Sequence, residues 1–148
     1  MKKILKHKKE VFFVLFFVVI LALIRFYQKQ LFYDPFLDFF KGDYHNQSLP
    51  QFNSVSLGFS YFVRYLLNSI STLAILYVLF KDFKMIKFAT SMLAVFFIVL
   101  LVAFYFSLYF FKDYLVIFYI RRFLIQPLFL LLFLPAFYFQ KKSQKNDK

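Results

Sequence analysis

Hydrophobic residues along this chain form four long apolar segments separated by shorter polar ones. The segments cover about residues 10–30, 61–80, 88–111 and 115–139. A helix needs about 20 predominantly apolar residues to cross a hydrocarbon core of about 30 Å. Because that core holds no water to bond backbone polar groups, segments of this kind are expected to be helical. The pattern predicts an all-α fold, an integral membrane four-helix bundle that forms a single transmembrane domain over residues 1–148.

The regions around these segments refine the picture. The lysine-rich start and the apolar run after it are similar to a signal peptide, but the run ends in bulky residues and Arg25, so we expect an uncleaved first helix. An aromatic-rich outer loop is predicted over residues 31–60. Kinks are expected at Pro127 and Pro135 in the last segment, because proline removes a helical hydrogen bond.

The lysines indicate how the helices are oriented. They cluster before the first segment, between the second and third, and after the fourth, as Lys2, Lys3, Lys6, Lys8, Lys9, Lys81, Lys84, Lys87, Lys141, Lys142, Lys145 and Lys148. Loops rich in lysine and arginine remain on the cytoplasmic side of a membrane. Both chain ends are therefore predicted to be cytoplasmic, with residues 31–60 on the outer side.

Composition supports a membrane location rather than a nucleic-acid-binding one. Hydrophobic residues make up 62% of the chain, above the roughly 45–50% of soluble domains. The formal net charge is +12. Since most of the lysines flank hydrophobic segments, we assign that charge to topology and anionic membrane lipids, and we expect no nucleic acid partner.

Charged residues of both signs gather at the predicted outer surface. The arginines are Arg25, Arg64, Arg121 and Arg122, and the outer loop carries Asp34, Asp38 and Asp43. Asn68 shares a helix face with Arg64. Charges within a span are costly, so these arginines need protein, water or headgroup partners. Three explanations remain open: the arginines reach headgroups and hold the loop down, they form a basic recess for a partner helix or an anionic group, or they serve catalysis.

The candidate chemistry argues against an autonomous enzyme. The chain has no cysteine and only two glycines, which removes a cysteine nucleophile and a glycine-rich phosphate loop. Asp34, Asp38, Asp43 and His45 could in principle hold a divalent cation, but pairing with the arginines explains the same carboxylates. We therefore expect no metal, no cofactor and no catalytic residues, and we treat the outer charged residues as a candidate binding cluster.

Three segments carry a family resemblance. They are residues 31–44 (LFYDPFLDFFKGDY), residues 62–69 (FVRYLLNS), and residues 121–128 (RRFLIQPL) continuing to 134–138 (LPAFY). Together they resemble the exosortase F system-associated membrane proteins of flavobacteria, over nearly the whole chain. The resemblance implies a multi-pass protein of the bacterial cytoplasmic (inner) membrane and supplies no functional residues.

The resemblance also implies a partner. Exosortase F is a membrane-embedded cysteine transpeptidase that acts on carboxy-terminal sorting signals, so a chain without cysteine is expected to be a non-catalytic accessory protein. It would stabilise that enzyme or present its substrates. The alternative is an autonomous, transporter-like membrane protein that handles a lipid or a small solute, which requires a polar cavity through the bundle.

Overall fold

The computed structural model describes residues 2–126 and 128–147, with side chains from residue 7 onward. Helices account for 84% of the structure, and the described residues include no strand. The elements in chain order are α1 (Lys2–Phe26), α2 (Gln28–Leu31), α3 (Phe36–Phe39), a 3-10 turn (Tyr44–Asn46), α4 (Ser54–Phe80), α5 (Phe83–Phe106) with a π-helical end (Ser107–Phe111), α6 (Tyr114–Ile125) and α7 (Leu128–Asn146).

Two of the described helices are long and apolar enough to cross a membrane by themselves. These are Ser54–Phe80 and Phe83–Phe111, and the bent pair α6 and α7 makes a third if it is one span. The uninterrupted apolar run of α1, residues 11–24, rises only about 21 Å at about 1.5 Å per residue. Charged Glu10 and Arg25 bound that run, so α1 is not among the helices that are long and apolar enough by themselves.

Local capping explains where the second helix begins. The expected start was about residue 61, whereas α4 starts at Ser54. The Asn53 side chain accepts hydrogen bonds from the backbone N–H groups of Val55 and Ser56, the arrangement that favours asparagine at an N-cap. The helix α1 ends at Phe26, before the expected residue 30, and α2 ends at Leu31. The connection from α2 to α4 therefore covers residues 32–53, which is shorter than the predicted loop 31–60, and it contains α3 and the 3-10 turn.

The last apolar segment is two helices rather than one. The axes of α6 and α7 differ by 63°. The C-cap of α6 is Gln126, which has an extended backbone, as expected of a residue that precedes a proline. Pro127 itself lies outside the described residues. Pro135 lies inside α7, which continues beyond it.

The core is organised around α4. This helix packs against α1, α5, α6 and α7. The short helix α3 places the fully buried Phe36 beside Phe104 of α5, and their ring centroids lie 5.9 Å apart. Much of the outer surface is apolar, with phenylalanines, leucines and valines exposed on every long helix, which suits contact with lipid.

Two sets of contacts define the ends of the bundle. At one end Lys81 pairs with Glu10, and the Lys141 ammonium donates to the Phe80 carbonyl at 2.7 Å. The lysine-rich start of α1 therefore lies near the α4–α5 turn and the end of α7. At the other end the Tyr114 hydroxyl donates to the Gln47 carbonyl at 2.9 Å, which holds the long connection against α6.

Candidate functional site

Asp34 lies at the centre of the charged cluster because the connection folds back into the bundle. Pro35 follows it with φ −65°, a value that suits the start of the helical turn α3. Phe36 and Phe39 on that turn are buried against the core. The apolar anchors thus carry the preceding carboxylate inward, where its side chain is 1% exposed.

Two arginines and a tyrosine contact this carboxylate. Arg121 donates from Nη2 to Asp34 Oδ2 at 2.5 Å and from Nε to Oδ1 at 3.4 Å, a bidentate pair. Arg64 Nη1 lies 3.6 Å from Oδ2, and the Tyr61 hydroxyl donates to Oδ1 at 3.3 Å. The planar guanidinium suits this fork geometry better than an ammonium group.

Arg64 is the less completely bonded of the two arginines. Its side chain is 2% exposed. Nη2 donates to Gln28 Oε1, and the guanidinium lies 5.5 Å from the ring centroid of Phe32. Its Nε and Nη1 have no hydrogen-bond partner among the described residues. Two buried guanidiniums against one carboxylate leave an excess of one positive charge, which a cation–π contact offsets only in part.

Asn68 serves the helix break rather than the charged groups. It is buried one turn beyond Arg64 on α4, and its amide donates to the Ile125 carbonyl at 3.1 Å. That carbonyl belongs to the last turn of α6, where carbonyls lack an intrahelical partner. The bond therefore stabilises the end of α6 against α4.

Arg25 and Arg122 lie beside the buried cluster and not in it. Both are exposed, and both line a recess of about 260 Å³ next to Arg121. Arg122 donates to Gln126 Oε1 at 3.2 Å. The Arg25 side chain forms no hydrogen bond or ion pair with the residues that the structure describes.

Asp38 and Asp43 do not join the arginines. Asp38 is exposed and accepts from the Lys29 ammonium at 2.5 Å, and this hydrogen bond lowers the pKa of Asp38 below its ordinary value. Asp43 accepts from the Asn46 amide at 3.2 Å. Across the described parts of the chain, no group of three histidine, cysteine, aspartate or glutamate side chains could hold a metal ion.

Sequence reasoning missed several members of the cluster. Tyr61 lies three residues before Arg64, so helical spacing alone places it on the same face. Gln28 lies three residues after Arg25, but the break at Tyr27 between α1 and α2 changes its direction. Phe32 and Phe40, which lie over the two guanidiniums, carry no signal that separates them from the many other phenylalanines.

Comparisons with protein-family models, with curated proteins and with solved structures find no match to this chain.

Proposed function

We propose that the chain crosses the bacterial inner membrane four times, with both ends in the cytoplasm. The grouping of Glu10, Lys81 and Lys141 at one end of the bundle supports this arrangement, since the lysine-rich regions then share the cytoplasmic side. In this arrangement α1 completes its crossing with residues that flank its apolar run. Phenylalanines and valines cover its outward face.

Within that topology we propose a non-catalytic accessory role in an exosortase-type protein-sorting system. The protein would stabilise the transpeptidase or present its substrates. The observation that supports this role is a groove of about 540 Å³ between α4 and α5. It is lined by residues that include Ser69, Thr90, Ala94 and Phe97. Small residues at a helix surface allow another transmembrane helix to approach closely.

The charged cluster supports a structural rather than a catalytic use of its arginines. Arg121 and Arg64 face Asp34, at 6%, 2% and 1% exposure. Groups so deeply packed against one another hold the outer connection onto the bundle. The same packing disfavours the transporter-like alternative, which needs charged groups that line a passage.

The test is co-purification from native membranes in mild detergent. Ala94→Phe fills the groove, and Val95→Phe is the matched control because Val95 is exposed on another face of α5. We expect wild type and the control to recover exosortase, and Ala94→Phe to lose roughly tenfold or more, equivalent to about 1.4 kcal/mol. Recovery of no exosortase by the wild type, or equal recovery by all three proteins, contradicts the proposal.

A further inference from the structure

A basic recess opens between α1, α6 and the segment after α3. Its volume is about 260 Å³, and its polar lining consists of Arg25, Gln28, Lys41, Arg121, Arg122 and Gln126. Three of these residues, Arg25, Lys41 and Arg122, are exposed. None of the described residues that line it is acidic.

The nearby carboxylates neutralise the positive charge of this recess only in part. Asp34 faces Arg121 and Arg64, and Asp38 faces Lys29. The two exposed arginines of the recess therefore have no carboxylate partner in the described structure. Guanidinium pairs favour bidentate contacts with phosphate oxygens, so the chemistry of the recess fits a phosphate group.

An apolar groove adjoins the recess on the side of α7. The groove has a volume of about 390 Å³ and shares Arg25, Ile125 and Gln126 with the recess. Its walls come from α1 and α7 and include Val18, Leu21, Ala22, Leu128 and Leu131. The groove lies at the 63° bend between α6 and α7, because its lining includes Ile125 and Gln126 before the bend and Leu128 after it.

We propose that the recess and the groove together bind one anionic phospholipid. The phosphate lies between Arg25 and Arg122, and an acyl chain lies along α1 and α7. The joined polar and apolar parts favour a lipid over a free phosphate, which leaves the groove unused. They also favour a lipid over a partner helix, because the groove ends at a cluster of cations. This site is independent of the α4–α5 groove, so failure of exosortase co-purification leaves it standing.

The experiment measures binding to the intact, delipidated protein by native mass spectrometry. Phosphatidylglycerol is the probe, and phosphatidylcholine, glycerol phosphate and inorganic phosphate are the comparison ligands. We expect phosphatidylglycerol to bind at least roughly tenfold more tightly than any of the three. Equal binding of phosphatidylcholine, or equally tight binding of a soluble phosphate, overturns the proposal.

Variants assign the two halves of the site. Arg25→Gln with Arg122→Gln should lower phosphatidylglycerol affinity at least roughly tenfold, whereas Lys112→Gln removes a cation outside the recess and should change little. Ala22→Phe should weaken binding by filling the groove, with the exposed Val19→Phe as control. Unchanged affinity in the arginine or Ala22 variants, or a protein helix found in the groove, contradicts the assignment.

Discussion

At the residue scale, the molecule is built around one buried carboxylate and two buried guanidiniums. An unpaired buried charge costs several kcal/mol, and the attraction between partners offsets that cost only when the geometry is good. The bidentate contact from Arg121 to Asp34 supplies that geometry. Arg64 depends more on Gln28 and Phe32, so the three charged residues should not be equally sensitive to substitution.

Asp34→Asn is expected to be the most damaging change in the cluster. It leaves two cations buried together, and removal of one partner of a buried pair typically costs about 3–5 kcal/mol. Arg64→Gln leaves the neutral Asp34–Arg121 pair and should cost less, on the order of 1–2 kcal/mol. The two losses are measured as changes in the free energy of unfolding in detergent. Equal losses, or a larger loss for Arg64→Gln, contradict this explanation. The exposed Asp38→Asn is the control and should cost less than either buried change.

Asp38 provides a pH-dependent contact between α2 and α3. The Lys29 hydrogen bond lowers the pKa of Asp38 in the folded protein. A carboxyl with a lowered folded pKa contributes stability above its unfolded pKa and loses it as pH falls through the folded value. Lys29→Gln should therefore raise the pKa of Asp38 towards 3.8. Carboxyl NMR measures the shift, and an unchanged pKa would show that Lys29 does not bind it.

The sequence predicted that opposite charges gather at one surface, but not which of them meet. Asp34, Asp38 and Asp43 are equivalent in type and close in sequence. What selects Asp34 is the burial of Phe36 on the turn that follows it. That depends on packing against Phe104 of α5, a long-range contact that no local pattern encodes.

At the element scale, α4 and α5 approach closely near Gly58. A Cβ at this position would lie 2.7 Å from the Tyr105 hydroxyl. That hydroxyl donates to the Ser54 carbonyl in the first turn of α4 at 2.5 Å. Glycine therefore permits a bond between the two helices, although it disfavours the interior of a helix by about 1 kcal/mol relative to alanine.

A double-mutant cycle at Gly58 and Tyr105 tests this role. Gly58→Ala alone should destabilise the protein, because the tyrosine must move and lose its bond. In a Tyr105→Phe background the same change should stabilise by up to about 1 kcal/mol, since the clash is gone and only helix propensity remains. The free energy of unfolding of all four proteins gives the coupling. An effect of Gly58→Ala that is the same in both backgrounds would rule out the contact.

Helix boundaries show where local sequence is sufficient and where it is not. Asn53 is a recognisable N-cap at the start of α4. The prediction from apolar residues alone ignores this signal and therefore starts the second helix too late, at about residue 61. The break after Gln126 follows from a proline, yet a kink and a 63° bend share that sequence signal. The Asn68 bond to Ile125, made across helices, helps to fix the outcome.

At the scale of the whole molecule, the number of crossings depends on α1. This helix packs along α4, but unlike α4 and α5 it is not by itself long and apolar enough to cross a membrane. Glu10 pairs with Lys81 at one end of it, and Gln28, just past its other end, contacts Arg64. These two contacts lie at opposite ends of the apolar part of α1, so α1 runs along α4 as a crossing requires.

The absence of cysteine from the natural sequence makes the topology directly measurable. The single substitutions His7→Cys and Ser143→Cys place a thiol near each end of the chain. Asn46→Cys places one in the connection before α4, and Lys84→Cys places one beside the α4–α5 turn. With four crossings, a membrane-impermeant maleimide should label only the Asn46 variant from the outside, and the other three after lysis. Labelling of both the His7 and Asn46 variants from outside would show that α1 lies along the membrane surface. Labelling of both the Ser143 and Asn46 variants from outside would instead show that α6 and α7 do not cross the membrane, because their bend then returns the chain to the outer side.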